Sequence, residues 1–482
     1  MNYRMIFYNI GRFLLVESAL LMIPAVMSLI NNDGAFMAFV ITIAALTLTG
    51  FVAAVKKPQN NNIYAKDGYV IVSMTWILMS LFGALPFVIS GYIPSFTDAF
   101  FETVSGFTTT GSTILRDIEI IPKSLLFWRS FTHWIGGMGI LVFVIAVMPK
   151  TESTSMHIMK AEVPGPTVGK LVSKLRASAR ILYGIYCVMT ILQIIMLVIG
   201  GMPLFDSVVN SFATAGTGGF GILNNSIEGY NSLYSEMVIA VFMLLFGINF
   251  NLYYMMIIRH GKQALKSEEL HWYLGIVTAS VLIIAIALMT TDYTAGESFR
   301  YAFFQVASII TTTGFSTANF DLWPVICKIV LVLLMFVGAC AGSTGGGIKV
   351  SRLILLIKGG RRDIRKAINP RSVETVKLDR VSVNEQIVRS VSVFFGMYMI
   401  VIAASALLLA IDGHDIVTTI TAVIACVGNI GPGLAEVGPA GNFADFSVFS
   451  KLVLCFDMLA GRLELIPMLM LFSPYAWSRK YS

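Results

Sequence analysis

Charge is scarce in this chain. Only 13% of its 482 residues are Asp, Glu, Lys or Arg, whereas 56% are hydrophobic, and the mean hydropathy is +0.78. A soluble chain of this length needs far more surface charge, so a soluble enzyme is excluded as the default and lipid is the expected solvent. Cysteine is scarce as well. Cys187, Cys327, Cys340, Cys426 and Cys455 fall at wide spacing inside apolar stretches, which argues against a zinc site or a disulfide framework and leaves them as packing residues. No Gly-rich segment ends in Gly-Lys-Ser/Thr, and GSTGGGIK at Gly342–Lys349 is a different pattern, so no nucleotide hydrolysis is expected here. A membrane-embedded enzyme would need His, Asp, Ser or metal ligands gathered at one depth, and no such constellation is visible.

Long apolar runs are what the chain has instead. About 20 apolar residues at helical rise cross a hydrocarbon core about 30 Å thick. Ten stretches reach or approach that length, at roughly 11–30, 35–55, 68–90, 124–148, 178–200, 233–258, 272–290, 323–356, 387–411 and 446–473. The expected fold is an all-α integral membrane protein with ten transmembrane helices. Glu17 interrupts the first run and a second follows closely, so the first is not read as a cleavable signal peptide.

Positive charge gives the orientation, because cytoplasmic loops accumulate Lys and Arg. Lys56, Lys57 and Lys66 follow the second run, Lys150, Lys160, Lys170, Lys174, Arg176 and Arg180 the fourth, and Arg259, Lys262 and Lys266 the sixth. Arg361, Arg362, Arg365, Lys366, Arg371, Lys377 and Arg380 follow the eighth. The alternate loops carry mostly acids, among them Asp98, Asp117, Glu119, Asp206, Glu228, Asp292, Asp321, Asp412 and Asp415. Both termini are therefore expected in the cytoplasm. The formal charge of +7 reads as a topology signal rather than a nucleic-acid footprint.

The outward loops repeat themselves. Ala99–Gly111 reads AFFETVSGFTTTG and Ala302–Gly314 reads AFFQVASIITTTG; weaker copies stand at Asp206–Gly219, DSVVNSFATAGTGG, and Thr419–Gly433, TITAVIACVGNIGPG. Each has an apolar stretch too short to span, then a run of Thr, Gly or Asn, then a full span. That layout predicts four re-entrant pore helices, each followed by an extended loop. Irregular backbone at membrane depth is tolerated only where protein buries it or water lines it. Four such loops around one axis can form a ring of neutral oxygens that replaces the hydration of a monovalent cation. The predicted ring comprises Thr109, Thr110 and Gly111; Thr217 and Gly218; Thr312, Thr313 and Gly314; and Asn429, Ile430 and Gly431. Glycine admits the backbone angles such a ring needs, and Thr can add hydroxyl oxygens. The loops lack the carboxylates a divalent ion demands. In the fourth, Asn429 and Ile430 replace the paired Thr of the first and third, leaving main-chain carbonyls as its ligands.

These residues and spacings resemble, essentially from end to end, the superfamily of K⁺ transporters that includes the Trk, Ktr and plant HKT proteins. The resemblance implies an extra helix pair at 1–56 and four repeats of span, pore helix, loop and span at 57–160, 161–262, 263–366 and 367–482. The extra pair is similar to that of the longer Trk-type members, the membrane subunits of bacterial K⁺ uptake systems in the cytoplasmic (inner) membrane. K⁺ is then the permeant ion, and the partners implied are a second copy of the chain and a cytosolic, TrkA-type nucleotide-binding regulatory subunit. The basic stretches around 149–180 and 357–385 suit docking to that subunit, and equally suit ordinary positive-inside loops or anionic lipid.

Two further segments carry the likeness. Ala339–Gly347, ACAGSTGGG, interrupts the eighth run, and its glycines disfavour helix by about 1 kcal/mol each. It resembles the family's intramembrane gating loop, which makes Ala341, Gly342, Ser343, Thr344, Gly345, Gly346 and Gly347 candidate gate residues; a packing kink is the plainer alternative. Arg462, with Asp457 before it and Glu464 after, resembles the family's pore arginine. A charge at that depth costs about 2.5–3.5 kcal/mol on insertion scales, so it is expected to steady the gating loop or to sit in a structural ion pair. Glu17 and Lys328 are expected to make interfacial or interhelical contacts, and His133 to be a satisfied core histidine beside the close-packed glycines that follow it. A symporter coupling K⁺ to H⁺ or Na⁺ stays open; it should carry a titratable residue at the substrate site, and the four loops have none.

Overall fold

A computed structural model describes residues 1–56, 58, 65–139, 175–258, 261–372 and 374–477. The chain is an all-α integral membrane protein, with one small hairpin that pairs Lys377 and Leu378 with Ser382 and Val381. Among the described residues six helices are long and apolar enough to cross a membrane: Tyr3–Asn31, Phe36–Ala54, Lys66–Ile89, Ala179–Ile199, Glu268–Leu288 and Glu385–Asp412. A seventh span results if Leu233–Phe246 and Phe250–Ile257 count together, although they meet at 88°.

Two of the ten apolar runs are broken, the first where its glycines predict it and the second, at 446–473, contrary to the single span expected there. The run at 323–356 is helical over Val325–Val337, stops at Gly338 (φ +70°), and resumes as a helix only at Val350–Ile368. The run at 446–473 breaks after Val448–Arg462, where Glu464 and Leu465 both take positive φ, and restarts at Ile466–Leu471 with Pro467 in its first turn. Proline suits a helix start but not an interior, because its ring removes an N–H and crowds the preceding turn. The run at 124–148 is helical over Lys123–Gly137. Its continuation from residue 140, the basic stretch at 149–174, Lys57 and Arg259 lie outside the described residues.

The first two helices form a hairpin whose closest approach is at small residues. A Cβ on Gly11 would fall less than 3.0 Å from the Gly50 carbonyl, and one on Gly50 equally close to Gly11 O. Helices in lipid gain little from the hydrophobic effect, so such close backbone packing is what holds them together. Ser18 Oγ adds a 2.8 Å hydrogen bond to Thr47 Oγ1.

Four of the shorter helices carry the repeated segments: Phe96–Phe107, Leu204–Gly216, Ala295–Ile310 and Ile416–Gly428. Their starts are encoded locally. Ser95 Oγ accepts from Asp98 N at 3.3 Å, Thr294 and Glu297 form a reciprocal capping box, and the Asp415 carboxylate accepts from the Val417 and Thr418 amides. Each cap satisfies N–H groups that the first turn leaves without helical partners. At 12 to 16 residues these helices are too short to cross a bilayer.

Candidate functional site

All four short helices end in the same way. The amides of Thr109, Thr217, Thr312 and Asn429 bond back three residues, at 3.0–3.2 Å, and the next amides, of Thr110, Gly218, Thr313 and Ile430, bond back five, at 2.8–2.9 Å. That pair of bonds is the Schellman motif, and it requires a left-handed residue at its first position. Thr109, Thr217, Thr312 and Asn429 supply it, with φ of 56°, 56°, 59° and 54°. Asn tolerates this region and a β-branched residue does so poorly, so the departure at Asn429 is the locally easier choice. Its amide nitrogen also donates to Thr110 Oγ1 and to Met458 O, both at 2.9 Å, tying the fourth loop to the first.

Two residues beyond each left-handed position stands a glycine of positive φ: Gly111 (85°), Gly219 (75°), Gly314 (87°) and Gly431 (96°). This corrects the register of the second loop. Matching on Thr-Gly names Gly218, but Gly218 occupies the place of Thr110, Thr313 and Ile430, and Gly219 is the counterpart of the other three glycines. The doubled glycine lets a sequence match slip by one residue, whereas the backbone angles do not.

The loops close into a ring. A Cβ on Gly111 would meet Gly218 O, one on Gly219 would meet Thr313 O, one on Gly314 would meet Ile430 O, and one on Gly431 would meet Thr110 O, each less than 3.0 Å away. Every glycine therefore abuts the carbonyl of the next loop, in the order first, second, third, fourth, first. The helix C-termini that feed these loops carry partial negative charge, equivalent to about half an elementary charge each, which favours a cation near them. Thr108 and Thr110 share a 2.8 Å hydroxyl hydrogen bond, as do Thr311 and Thr313. Their hydroxyls thereby stiffen the loops from behind.

The segment at 339–347 is seated directly against the third and fourth loops. Gly346 N donates to Thr312 Oγ1 at 2.6 Å and Gly347 N to Gly428 O at 3.0 Å. A Cβ on Gly345 would fall less than 3.0 Å from Thr311 O. Cys340 N bonds to Gly247 O at 3.0 Å, Phe250 N to Gly342 O at 3.1 Å, Ala341 N to Glu269 Oε1 at 2.7 Å, and the Thr344 hydroxyl to Phe246 O at 3.2 Å. Ser343 Oγ caps Cys340 O at 2.6 Å. Protein groups thus take the amides of Cys340, Ala341, Ser343, Gly346 and Gly347, as irregular backbone at membrane depth demands.

Arg462 reaches this segment. Its guanidinium donates to Thr344 O at 2.8 Å and to Gly137 O at 2.7 Å, and also to Gly136 O. Glu464 pairs with Arg352 at 2.6 Å, and Lys349 Nζ bonds to Gly345 O. Asp457 is buried and accepts from Ser405 Oγ at 2.7 Å. Together Arg462 and Lys349 bring two side-chain cations onto the carbonyls of one short loop.

His133 Nδ1 lies 2.7 Å from Gly106 O, its ring is 4.1 Å from that of Phe220, and a Cβ on Gly218 would strike it, so it backs the second loop. Glu17 is fully buried against Gly83 of the third span, the interhelical rather than the interfacial of the two contacts expected. Lys328 Nζ donates to Asp321 O at 2.8 Å. Two of the loop acids serve the scaffold: Asp98 pairs with Lys451 at 2.6 Å and Asp206 accepts from the Tyr230 hydroxyl at 3.1 Å. Hydrogen bonds from the Thr418 side chain and from the Val417 and Thr418 amides hold the Asp415 carboxyl below the ordinary carboxylate range. Sequence reasoning passed over Glu102 and Arg129, which pair at 2.6 Å behind the first loop. Their only signal was charge within otherwise apolar segments.

Residues 35–481 match the family of TrkH cation transport proteins. The chain belongs to that family. It is 34% identical over 483 residues to the Trk system potassium uptake protein TrkH of Salmonella typhimurium, covering 99% of this chain and 100% of the relative. It is 32% identical to the TrkG protein of Escherichia coli, covering 98% of each. The crystal structure of the potassium transporter TrkH from Vibrio parahaemolyticus superimposes with a TM-score of 0.90 at 33% identity, over 99% of this TrkH-family chain and 100% of that one.

Proposed function

We propose that this chain carries K⁺ into the cell by channel-like conduction through the ring of four loops. The observation that carries the reading is the cyclic contact of each glycine with the next loop's carbonyl. A closed ring of main-chain oxygens at the ends of four helix dipoles can exchange an ion's water for neutral ligands without trapping it. Its members are Thr109–Gly111, Thr217–Gly219, Thr312–Gly314 and Asn429–Gly431, and the absence of carboxylates suits a monovalent ion. The 339–347 segment, pressed on the third and fourth loops and held by Arg462, is the gate in this reading. It opens when a cytosolic, nucleotide-binding partner pulls on the Val350–Ile368 helix that continues from it. The membrane is the bacterial inner membrane with both termini in the cytoplasm, the working unit is a dimer, and the repeats follow the boundaries read from the sequence. The names of the relatives, potassium uptake proteins of Trk systems, support K⁺ as the cargo.

The test is flux in liposomes with K⁺ against Na⁺, with and without the regulatory partner, under voltage clamp. Conduction predicts a reversal potential that follows the K⁺ gradient and is indifferent to pH. A reversal potential that moves with the proton or Na⁺ gradient would establish a symporter instead.

A further inference from the structure

Glu102 and Arg129 have 0% and 2% of their side chains exposed and pair at 2.6 Å. A buried ion pair is poor at raising stability, since desolvating both charges costs about what their attraction returns. Their remaining hydrogen bonds indicate what else the pair does. The Glu102 carboxylate accepts from Thr113 Oγ1 at 2.9 Å and from Ile114 N at 3.0 Å, just past Gly111 in the first loop. Arg129 Nη1 donates to Gly221 O at 3.0 Å, and its guanidinium lies 3.5 Å over the Phe220 ring, just past Gly219 in the second loop. One buried pair therefore joins the outer limbs of two neighbouring loops at equivalent heights.

The matching places in the other pore helices differ. Seven residues before each left-handed position stand Glu102, Asn210, Gln305 and Ala422, and Asn210 donates to the Tyr230 hydroxyl at 3.1 Å and to Met202 Sδ at 3.8 Å. The ion pairs Arg300–Glu236 and Lys451–Asp98 sit further out, each with one partner about a quarter exposed.

We infer that Glu102 and Arg129 are positioning residues that hold the first and second loops at a set separation and so tune discrimination between K⁺ and the smaller Na⁺. This rests on the conduction reading. A pair fixed by four further contacts keeps Gly111 against Gly218 O, and ligand placement within about 0.5 Å is the scale on which such sites work. Loosening this one seam widens the ring on one side while the other three contacts persist, so selectivity changes before conduction is lost.

The experiment compares Glu102→Gln, Arg129→Lys and Thr113→Val with the unaltered protein in liposomes, reading bi-ionic K⁺/Na⁺ reversal potentials beside total K⁺ flux. Thr113→Val leaves the pair intact and cuts its hydroxyl link to the first loop, so it serves if a charge variant fails to fold. Asp445→Asn, in the exposed pair with Arg116, is the control. The K⁺/Na⁺ permeability ratio is expected to fall several-fold in Glu102→Gln, less in Arg129→Lys and Thr113→Val, with K⁺ flux retained and the control unchanged. An unchanged ratio in folded variants, or equal loss of both ions' flux, overturns the inference in favour of a plain scaffold. Absence of K⁺ flux in the unaltered protein even with its regulatory partner present would instead overturn the conduction reading.

Discussion

The Thr312 hydroxyl accepts a 2.6 Å hydrogen bond from the Gly346 amide, so the left-handed residue of the third loop and the irregular segment beneath it share one contact. The loop ring and the 339–347 segment are thereby in direct contact, so on the conduction reading a movement of one is felt by the other. Thr312 adopts its unusual backbone angle because the Schellman turn demands it, and that turn aims the hydroxyl at the Gly346 amide.

Thr312→Val removes that acceptor with little change of shape. Leaving Gly346 N without it destabilises the seated loop by about 1 kcal/mol or more, and basal flux in the absence of a regulatory partner is expected to rise about fivefold or more. Rubidium uptake into liposomes measures it; flux at or below that of the unaltered protein would remove Thr312 from the closed state.

Arg462→Gln withdraws charge-assisted bonds from Thr344 O and the Gly136 and Gly137 carbonyls. Hydrogen bonds to charged groups contribute about 1.5–3 kcal/mol each. The 339–347 segment should be released and basal flux should rise at least tenfold, roughly 1.4 kcal/mol in the equilibrium. Conductance and gating like those of the unaltered protein would end the assignment of Arg462 to the gate.

Gly219→Ala tests the corrected register. A left-handed angle costs Ala about 1–2 kcal/mol, and its methyl would press on Thr313 O. K⁺ flux is expected to fall more than tenfold with membrane insertion intact. Gly360→Ala, a helical position with nothing within 4 Å of the added carbon, should leave flux unchanged and raise stability by up to about 1 kcal/mol.

Asn429→Leu loses two buried hydrogen bonds and the side chain best suited to the left-handed region. At about 1 kcal/mol for each of these three terms, the variant should unfold roughly 2–4 kcal/mol more easily, visible as a lowered Tm in detergent. Asn429→Asp keeps the backbone preference but places a charge beside Thr110 Oγ1, so it should alter ion selectivity more than stability.

Much of the architecture was readable from local properties. Apolar length, the Thr and Gly runs and the helix break at 339–347 depend on neighbours a few residues apart, and helix length and propensity are one-dimensional quantities. The breaks at Gly247–Asn249 and Glu464–Leu465 were not readable, because an apolar run is equally compatible with one long helix or two bent ones. Burial of Glu17 was hidden for a similar reason: charge within a span says that pairing or burial must be managed, not where the helix turns that face.

Sequence alone determined that this protein lives in lipid, that it presents four short helices ending in Thr, Gly and Asn, and that its eighth apolar run cannot stay helical. Only the tertiary structure decided that Gly219 rather than Gly218 completes the set of four, that the loops follow one another in a ring, and that Arg129, Thr312 and Arg462 meet backbone atoms far away in the chain. Propensity acts between neighbours. A carbonyl 118 residues away, as Thr344 O is from Arg462, becomes a neighbour only when the whole bundle has packed.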